Sequence, residues 1–210
     1  MDNTKLKMPK KLSLSKSLKI SYMKTNEEKK RALKKYGYRL DESLTDHNKT
    51  VAYNNDQQKL LFATAGSHNL KDWTHTNSQI LLGKLAPYGL KNTDRFKESA
   101  ETLERAKQKY KDRKRTNLVG HSMGGTITNY LPYDDQTKGY ALNSGFTLMQ
   151  PIRNKGGKLK NIRVVTDPIS ALGSVSSNMN NILPSNSSIN PLKNLYQAHT
   201  EYGKRAKILL

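Results

Sequence analysis

The sequence has 210 residues, a length that suits one domain of ordinary size plus an appendage. Lys and Arg number 37 against 17 Asp and Glu, so the formal net charge of +20 predicts attraction to polyanions such as nucleic acid, anionic lipid or an acidic partner. The chain contains no cysteine, which excludes disulfides, thiolate catalysis and zinc–thiolate sites. A nucleophilic enzyme with this composition would need serine or threonine.

The N-terminal part of the sequence differs from the rest in charge. The first 35 residues contain 12 Lys or Arg and three acids, a local charge of +9. No stretch of the sequence approaches the roughly 18 continuous apolar residues of a membrane span, and no apolar core of a signal peptide follows the first basic residues. We therefore expect a soluble protein that is not secreted, with a basic N-terminal arm over residues 1–35 and a compact domain over residues 36–210.

Four apolar residues of the arm occupy even positions between Ser and Lys: Leu12, Leu14, Leu18 and Ile20. This period-two pattern is typical of a strand that pairs with another surface and cannot bury itself alone. The other interpretation is a solvated, disordered basic tail. The charge of the arm predicts an anionic membrane surface or nucleic acid as its partner.

From residue 36 onward, β-type and α-type patterns alternate. The predicted elements, in chain order, are strands over residues 51–53 and 59–64, helices over 79–85 and 94–111, a strand over 116–119, a helix over 124–131, and strands over 139–143 and 161–166. Strand, helix and strand in succession indicate an α/β fold with a mostly parallel sheet and helices on both faces. Residues 173–190, rich in Ser and Asn, are predicted as a long surface loop or lid.

The most informative motif is Gly120-His121-Ser122-Met123-Gly124, which joins a predicted strand to a predicted helix. This arrangement is the nucleophile elbow G-x-S-x-G, in which a sharp turn exposes a serine hydroxyl at the top of an α/β-hydrolase sheet. Gly120 and Gly124 have structural roles, because residues without a β-carbon let strand and helix approach closely. The backbone amide of Met123, at the start of the helix, is placed to hold a developing oxyanion.

A serine nucleophile needs a base, and the base needs a carboxylate, in the chain order Ser, acid, His for this fold. Of the five histidines only His199 follows Ser122. Asp167 directly follows the predicted strand over residues 161–166, where an acid would emerge at the carboxyl edge of a parallel sheet. We therefore predict a triad of Ser122, Asp167 and His199. Three acids remain as alternatives: Asp134, Asp135 and Glu201.

The second oxyanion donor in this fold comes from the loop after an earlier strand. That loop is Ala65-Gly66-Ser67-His68-Asn69, directly after the predicted strand over residues 59–64. Ser67 would supply its backbone N–H. Trp73, the only tryptophan, lies just beyond and is interpreted as a core or loop-anchoring aromatic residue.

Taken together, these motifs resemble those of the class 3 lipase family, a branch of the α/β hydrolases. That family has a Gly-Ser/Thr pair followed by Asp-Trp, similar to Gly66-Ser67 and Asp72-Trp73, and an elbow G-H-S-L-G-G, similar to residues 120–125. It also has an Asp-Pro step after a strand and a histidine near the C-terminus, similar to Asp167-Pro168 and His199. The closest likeness is to the compact lipase-like proteins of large DNA viruses and virophages.

The resemblance implies a serine carboxylester hydrolase that acts on acyl lipids and requires no metal or organic cofactor. Ser122, His199 and Asp167 would form its triad, with Ser67 and Met123 as oxyanion donors. It further implies a location in the virion or the host cytoplasm. The alternative is a structural or minor capsid component that uses the hydrolase fold with little or no turnover, and whose arm binds other capsid subunits or DNA.

Overall fold

The computed structural model describes residues 10–66, 93–144, 158–164, 179–182 and 210. Seven strands form one sheet: β1 (Arg39–Leu40), β2 (Lys49–Asn54), β3 (Lys59–Thr64), β4 (Arg115–His121), β5 (Thr137–Leu142), β6 (Leu159–Val164) and β7 (Met179–Ile182). Four helices are described: α1 (Leu14–Ser21), α2 (Asn26–Lys34), α3 (Asp94–Lys109) and α4 (Met123–Tyr130), together with a short 3-10 turn (Glu42–Leu44). None of these helices is both long and apolar enough to cross a membrane.

The strands lie in the sheet in the same order as in the chain. β1, β2 and β3 pair antiparallel, whereas β3 to β7 pair in parallel. The chain between β3 and β4 contains α3, and the chain between β4 and β5 contains α4, as parallel pairing requires. The mostly parallel α/β sheet predicted from the sequence is therefore confirmed.

Helices cover both faces of the sheet, as predicted. Alternate residues of β3 show the division, because successive side chains of a strand point to opposite faces. Leu61 and Ala63 belong to the core cluster that contains α1 residues. Leu60 and Phe62 belong to the cluster that contains residues of α3 and α4. All four side chains are fully buried, which explains the continuous apolar run that predicted this strand.

The N-terminal segment forms part of the core. Leu12, Leu14, Leu18 and Ile20 are at most 3% exposed and pack with sheet residues in one cluster. The strand interpretation and the solvated-tail interpretation are therefore both wrong for residues 12–20. The boundary at residue 35 between an arm and a domain stays a prediction, and residues 1–9 of the arm lie outside the described part of the chain.

The buried face of α1 combines leucines with serines. Leu14, Ser17, Leu18 and Ser21 are buried at the i, i+3, i+4, i+7 spacing of one helix face. The Ser17 hydroxyl donates to the Leu14 carbonyl at 2.7 Å, and the Ser21 hydroxyl donates to the Leu18 carbonyl at 2.7 Å. Because these hydroxyls are satisfied within the helix, small serines can face the sheet without an unpaired polar group.

Two further elements differ from the sequence expectations. α2 begins with a reciprocal capping box between Thr25 and Glu28, a sequence signal that could have revealed it. β7 pairs in parallel with β6, so the prediction of a continuous loop over residues 173–190 is wrong at Met179–Ile182. The predicted helix over residues 79–85 lies outside the described residues.

The packing of α1 predicts a large stability effect from a single truncation. Leu18→Ala should lower the free energy of unfolding by about 2–5 kcal/mol, because Leu18 is fully buried and its loss leaves a cavity. Lys19→Ala, one position along on the exposed side of the same helix, should change it by less than about 0.5 kcal/mol. Urea unfolding monitored by circular dichroism measures both. Equal, small effects would show that α1 does not pack on the sheet.

Candidate active site

Ser122 lies at the turn between β4 and α4 with a backbone conformation that serine rarely adopts. Its φ is 55° and its ψ is −124°, a region that costs a residue with a side chain on the order of 1–3 kcal/mol. The turn is held on both sides. The Ser122 N–H donates to the Leu142 carbonyl at 3.0 Å, and the Ser122 carbonyl accepts the Thr126 N–H at 3.0 Å. Such imposed strain is typical of a functional position.

The Ser122 side chain takes no part in the hydrogen bonding of the helix that follows. A serine that precedes a helix ordinarily caps it by accepting an amide hydrogen bond with its hydroxyl. Ser122 makes no such bond, and its buried Oγ has no hydrogen-bond partner among the described residues. The described residues therefore leave the Ser122 hydroxyl unengaged, although it is buried.

The glycines of the motif allow three backbone segments to meet at this point. A β-carbon on Gly120 would overlap the carbonyl oxygen of Gly124, and one on Gly124 would overlap the carbonyl oxygen of Thr64. A β-carbon on Gly66 would lie 2.8 Å from the Cβ of Ser122. The elbow is thus packed against the end of β3, and the loop that follows β3 begins beside the serine.

The carboxyl ends of the parallel strands gather at the edge of the sheet where Ser122 lies. In the strand register Thr64 is paired with Gly120, and Leu142 is paired with both His121 and Ile162. Beyond β5, the Asn143 side-chain oxygen accepts the Val164 N–H at 2.8 Å and so fixes the end of β6. This edge is where catalytic groups of open α/β sheets are found.

The described residues include only part of the predicted site. Ser122 lies at the elbow, and Met123 begins α4 with 7% of its surface exposed. Ser67, Asp167 and His199 lie outside the described residues, as do Trp73 and Glu201. Their assignments stay predictions.

The competing acids Asp134 and Asp135 lie at the wrong end of the sheet. They precede Thr137, where β5 begins, whereas Ser122 contacts the other end of β5. A rise of about 3.3 Å per residue puts roughly 17 Å between the two ends of that strand. Both acids therefore lie far from Ser122.

The hydrogen bonds of these two acids show that they have other roles. Asp134 accepts from Thr137 Oγ1 at 2.6 Å and pairs with Arg113 at 3.0 Å. Although burial opposes the shift, these bonds and the Lys107 ammonium lower the pKa of Asp134 to about 2. Asp135 is fully exposed and pairs with Lys158. Asp134 is thus a structural ion-pair partner, and Asp135 is a surface residue.

A tyrosine from the N-terminal segment reaches the elbow, a contact that the sequence did not predict. The Tyr22 hydroxyl lies 2.7 Å from Nδ1 of His121 and accepts the Gly66 N–H at 2.6 Å. The Tyr22 and His121 rings meet edge to face with centroids 5.8 Å apart. Tyr22 thereby connects His121, the residue before Ser122, to the loop in which Ser67 follows Gly66.

Arg95, in the first turn of α3, holds the same loop from its other side. Its Nη2 donates to the Ala65 carbonyl at 2.5 Å and to the Gly66 carbonyl at 3.2 Å. Tyr22 binds the Gly66 amide, and Arg95 binds the carbonyls of Ala65 and Gly66. The backbone that leads to Ser67 is therefore fixed as far as Gly66.

A strained serine at a strand–helix turn, at the carboxyl edge of a mostly parallel sheet, defines an α/β-hydrolase-like fold. Among solved structures, the chain is similar to Lip2 lipase from Yarrowia lipolytica, with a TM-score of 0.54 and 13% identity over 80% of this chain and 76% of that one. At this identity the likeness shows a shared fold. A triacylglycerol lipase from Penicillium expansum aligns with a TM-score of 0.33 and 14% identity over 64% of this chain and 61% of that one. No family model and no curated protein matches the sequence.

Proposed function

We propose that the protein is a lipase-like serine hydrolase that cleaves carboxylic esters of acyl lipids. The observation that carries the proposal is Ser122, which is held in a strained turn with a hydroxyl that has no partner among the described residues. The fold shared with a lipase supports the same reaction class. Activity stays a proposal, because one fold can serve several functions.

In the proposed mechanism, the Ser122 Oγ attacks the ester carbonyl while His199 takes its proton. Asp167 orients the imidazole and stabilises its charged form. The backbone amides of Ser67 and Met123 hold the oxyanion of the tetrahedral intermediate, a contribution of about 3 kcal/mol per donor. His199 then protonates the leaving alcohol, and water hydrolyses the acyl-enzyme by the same route.

Chain length supports Asp167 as the acid. It follows Val164, the last residue of β6, by three residues, which span at most about 10 Å. Because β6 ends at the same edge as Ser122, this carboxylate can reach the site, whereas Asp134 and Asp135 lie beyond the opposite edge. His199 is proposed as the base since no other histidine follows Ser122 in the chain.

A fluorophosphonate probe tests the proposal, because it reacts with a serine only when that serine is activated as a nucleophile. We expect covalent labelling of the wild-type protein and none of Ser122→Ala. Ser99→Ala is the matched control, since Ser99 is also buried but its hydroxyl donates to the Arg95 carbonyl at 2.7 Å. It should label as the wild type does. A wild-type protein that stays unlabelled would contradict the proposal.

The Tyr22 contact gives a separate prediction about the oxyanion loop. Tyr22→Phe leaves the Gly66 amide without its partner, so kcat for a soluble ester should fall about tenfold with KM little changed. Tyr36→Phe, a partly exposed tyrosine of the same N-terminal region, should leave kcat unchanged. Steady-state kinetics on p-nitrophenyl butyrate measure both variants. A Tyr22→Phe enzyme as fast as the wild type would remove this positioning role.

The structural or minor capsid alternative stays a prediction with no observation in its favour. It relied on a free basic arm, and residues 12–20 of that arm are buried against the sheet. The proposed partners of the arm, namely nucleic acid, an anionic membrane surface and capsid subunits, would have to contact residues 1–9 or the exposed lysines. The location in a virion or in the host cytoplasm likewise stays a prediction.

A further inference from the structure

A cavity lies at the opposite end of the sheet from Ser122. It has a volume of about 310 Å³, and four of the residues that line it are basic: Lys10, Lys11, Lys59 and Arg115. Lys59 begins β3 and Arg115 begins β4, and the two are directly paired in the parallel register. A rise of about 3.3 Å per residue along β3 places this cavity roughly 17 Å from the elbow edge.

The charged side chains among the described residues that line the cavity are all cationic. Lys59 donates to the backbone oxygen of Leu210 at 3.2 Å, and a negative charge on Leu210 would still leave an excess of three. Among the described residues, the buried Nε of Arg115 has no hydrogen-bond partner. The cavity thus carries an excess of positive charge.

Three largely buried cations elsewhere in the described residues have carboxylate partners: Lys49 pairs with Asp46, and Lys107 and Arg113 both pair with Asp134. In the cavity, Lys59 and Arg115 are partly buried and Lys10 and Lys11 are exposed, with no described acidic side chain beside them. Like charges placed directly opposite on neighbouring strands are destabilising. Burial and the nearby charges of Arg115 and Lys11 lower the pKa of Lys59, which shows the same repulsion. An unbalanced cluster of this kind is expected where an anion is bound.

We propose that this cavity binds a small phosphate ester. A phosphate dianion offers several acceptor oxygens and a charge that neutralises two cations, and an Arg guanidinium can bind two of its oxygens at once. The volume is near the lower limit for ligand pockets, which suits a small ligand rather than a duplex backbone. Leu12, Tyr36 and Tyr38 supply an apolar and aromatic wall for the organic part. The proposal is independent of ester hydrolysis.

Isothermal titration with inorganic phosphate and with phenyl phosphate, in chloride buffer at constant ionic strength, tests the site. We expect both to bind, phenyl phosphate more tightly, and expect Lys59→Gln and Arg115→Gln each to weaken binding at least about tenfold. Lys138→Gln removes the same charge from an exposed position on β5 and should change the Kd less than about twofold. Absence of phosphate binding, or an equal loss in Lys138→Gln, would overturn the proposal.

The melting temperature without ligand separates binding from a structural role. Because Arg115→Gln relieves repulsion with Lys59, its melting temperature should equal or exceed that of the wild type when phosphate is absent. A lower melting temperature together with an unchanged phosphate Kd would mean that Arg115 is structural, and the proposal would fail. The proposal would also fail if a short DNA duplex bound through Arg115 and inorganic phosphate did not displace that duplex.

Discussion

Ser122→Ala and His199→Ala should each lower kcat for p-nitrophenyl butyrate by a factor on the order of 10⁶. The first variant lacks the proposed nucleophile, and the second lacks the proposed base, which would make the serine hydroxyl reactive. The double variant should be no slower than either single variant, because triad members act as a unit and their losses do not add. Steady-state hydrolysis at saturating substrate measures all three.

Two matched controls separate chemistry from general damage to the fold. Ser99→Ala removes a buried hydroxyl that is engaged within α3, and His47→Ala removes an exposed imidazole. Both should keep activity near the wild-type level. If the wild type were no faster than Ser122→Ala, the protein would not be a serine esterase. If the two single losses multiplied in the double variant, Ser122 and His199 would not share one catalytic step.

Asp167→Asn should reduce kcat by about 10⁴ while leaving the melting temperature nearly unchanged. An asparagine can still contact the imidazole, but it holds the ring in the wrong tautomer and cannot stabilise the charged form. The parallel measurements are ester hydrolysis and thermal unfolding on the same preparation.

The alternative acids provide the comparison for Asp167. Asp135→Asn should have no effect on kcat, because its carboxylate is exposed and pairs only with Lys158 among the described residues. Asp134→Asn should lower the melting temperature rather than kcat, since Asp134 pairs with Lys107 and Arg113. A large loss of kcat in Asp135→Asn, with Asp167→Asn unaffected, would show that the acid was wrongly assigned.

The sequence predicted those elements whose signal is local. β3 contains the continuous apolar run of residues 60–63, and β4 has Leu118 and Val119 directly before the elbow. α3 has apolar side chains on one face, and the elbow is marked by glycines on either side of Ser122. Each of these patterns follows directly from backbone geometry. A strand buried on both faces needs apolar side chains on both, a helix packed on a sheet needs one apolar stripe, and the close approach at the elbow is possible only for glycine.

The elements that the sequence did not predict depend on tertiary contacts. In α1 the even spacing of leucines fits a strand. Its two buried serines, Ser17 and Ser21, resemble solvent-facing residues in the sequence, and only the structure shows that their hydroxyls donate to carbonyls of the same helix. β7 has two asparagines in its four residues, so its sequence does not look like a strand. It is joined to the sheet by pairing with β6 through backbone hydrogen bonds, which leave no local sequence pattern. Tyr22 and His121 are 99 residues apart, and no local pattern connects them.

That separation also has a consequence during synthesis. α1 leaves the ribosome well before β4 exists, so the part of the core that α1 shares with β4 is incomplete while the next 99 residues are made, although β2 and β3 emerge earlier. At elongation rates of about 5–20 residues per second, this interval lasts roughly 5–20 s. The hydrogen bond between Tyr22 and His121 cannot form until residue 121 has emerged, so Tyr22 links the loop after β3 to the elbow only after more than half of the protein has been translated.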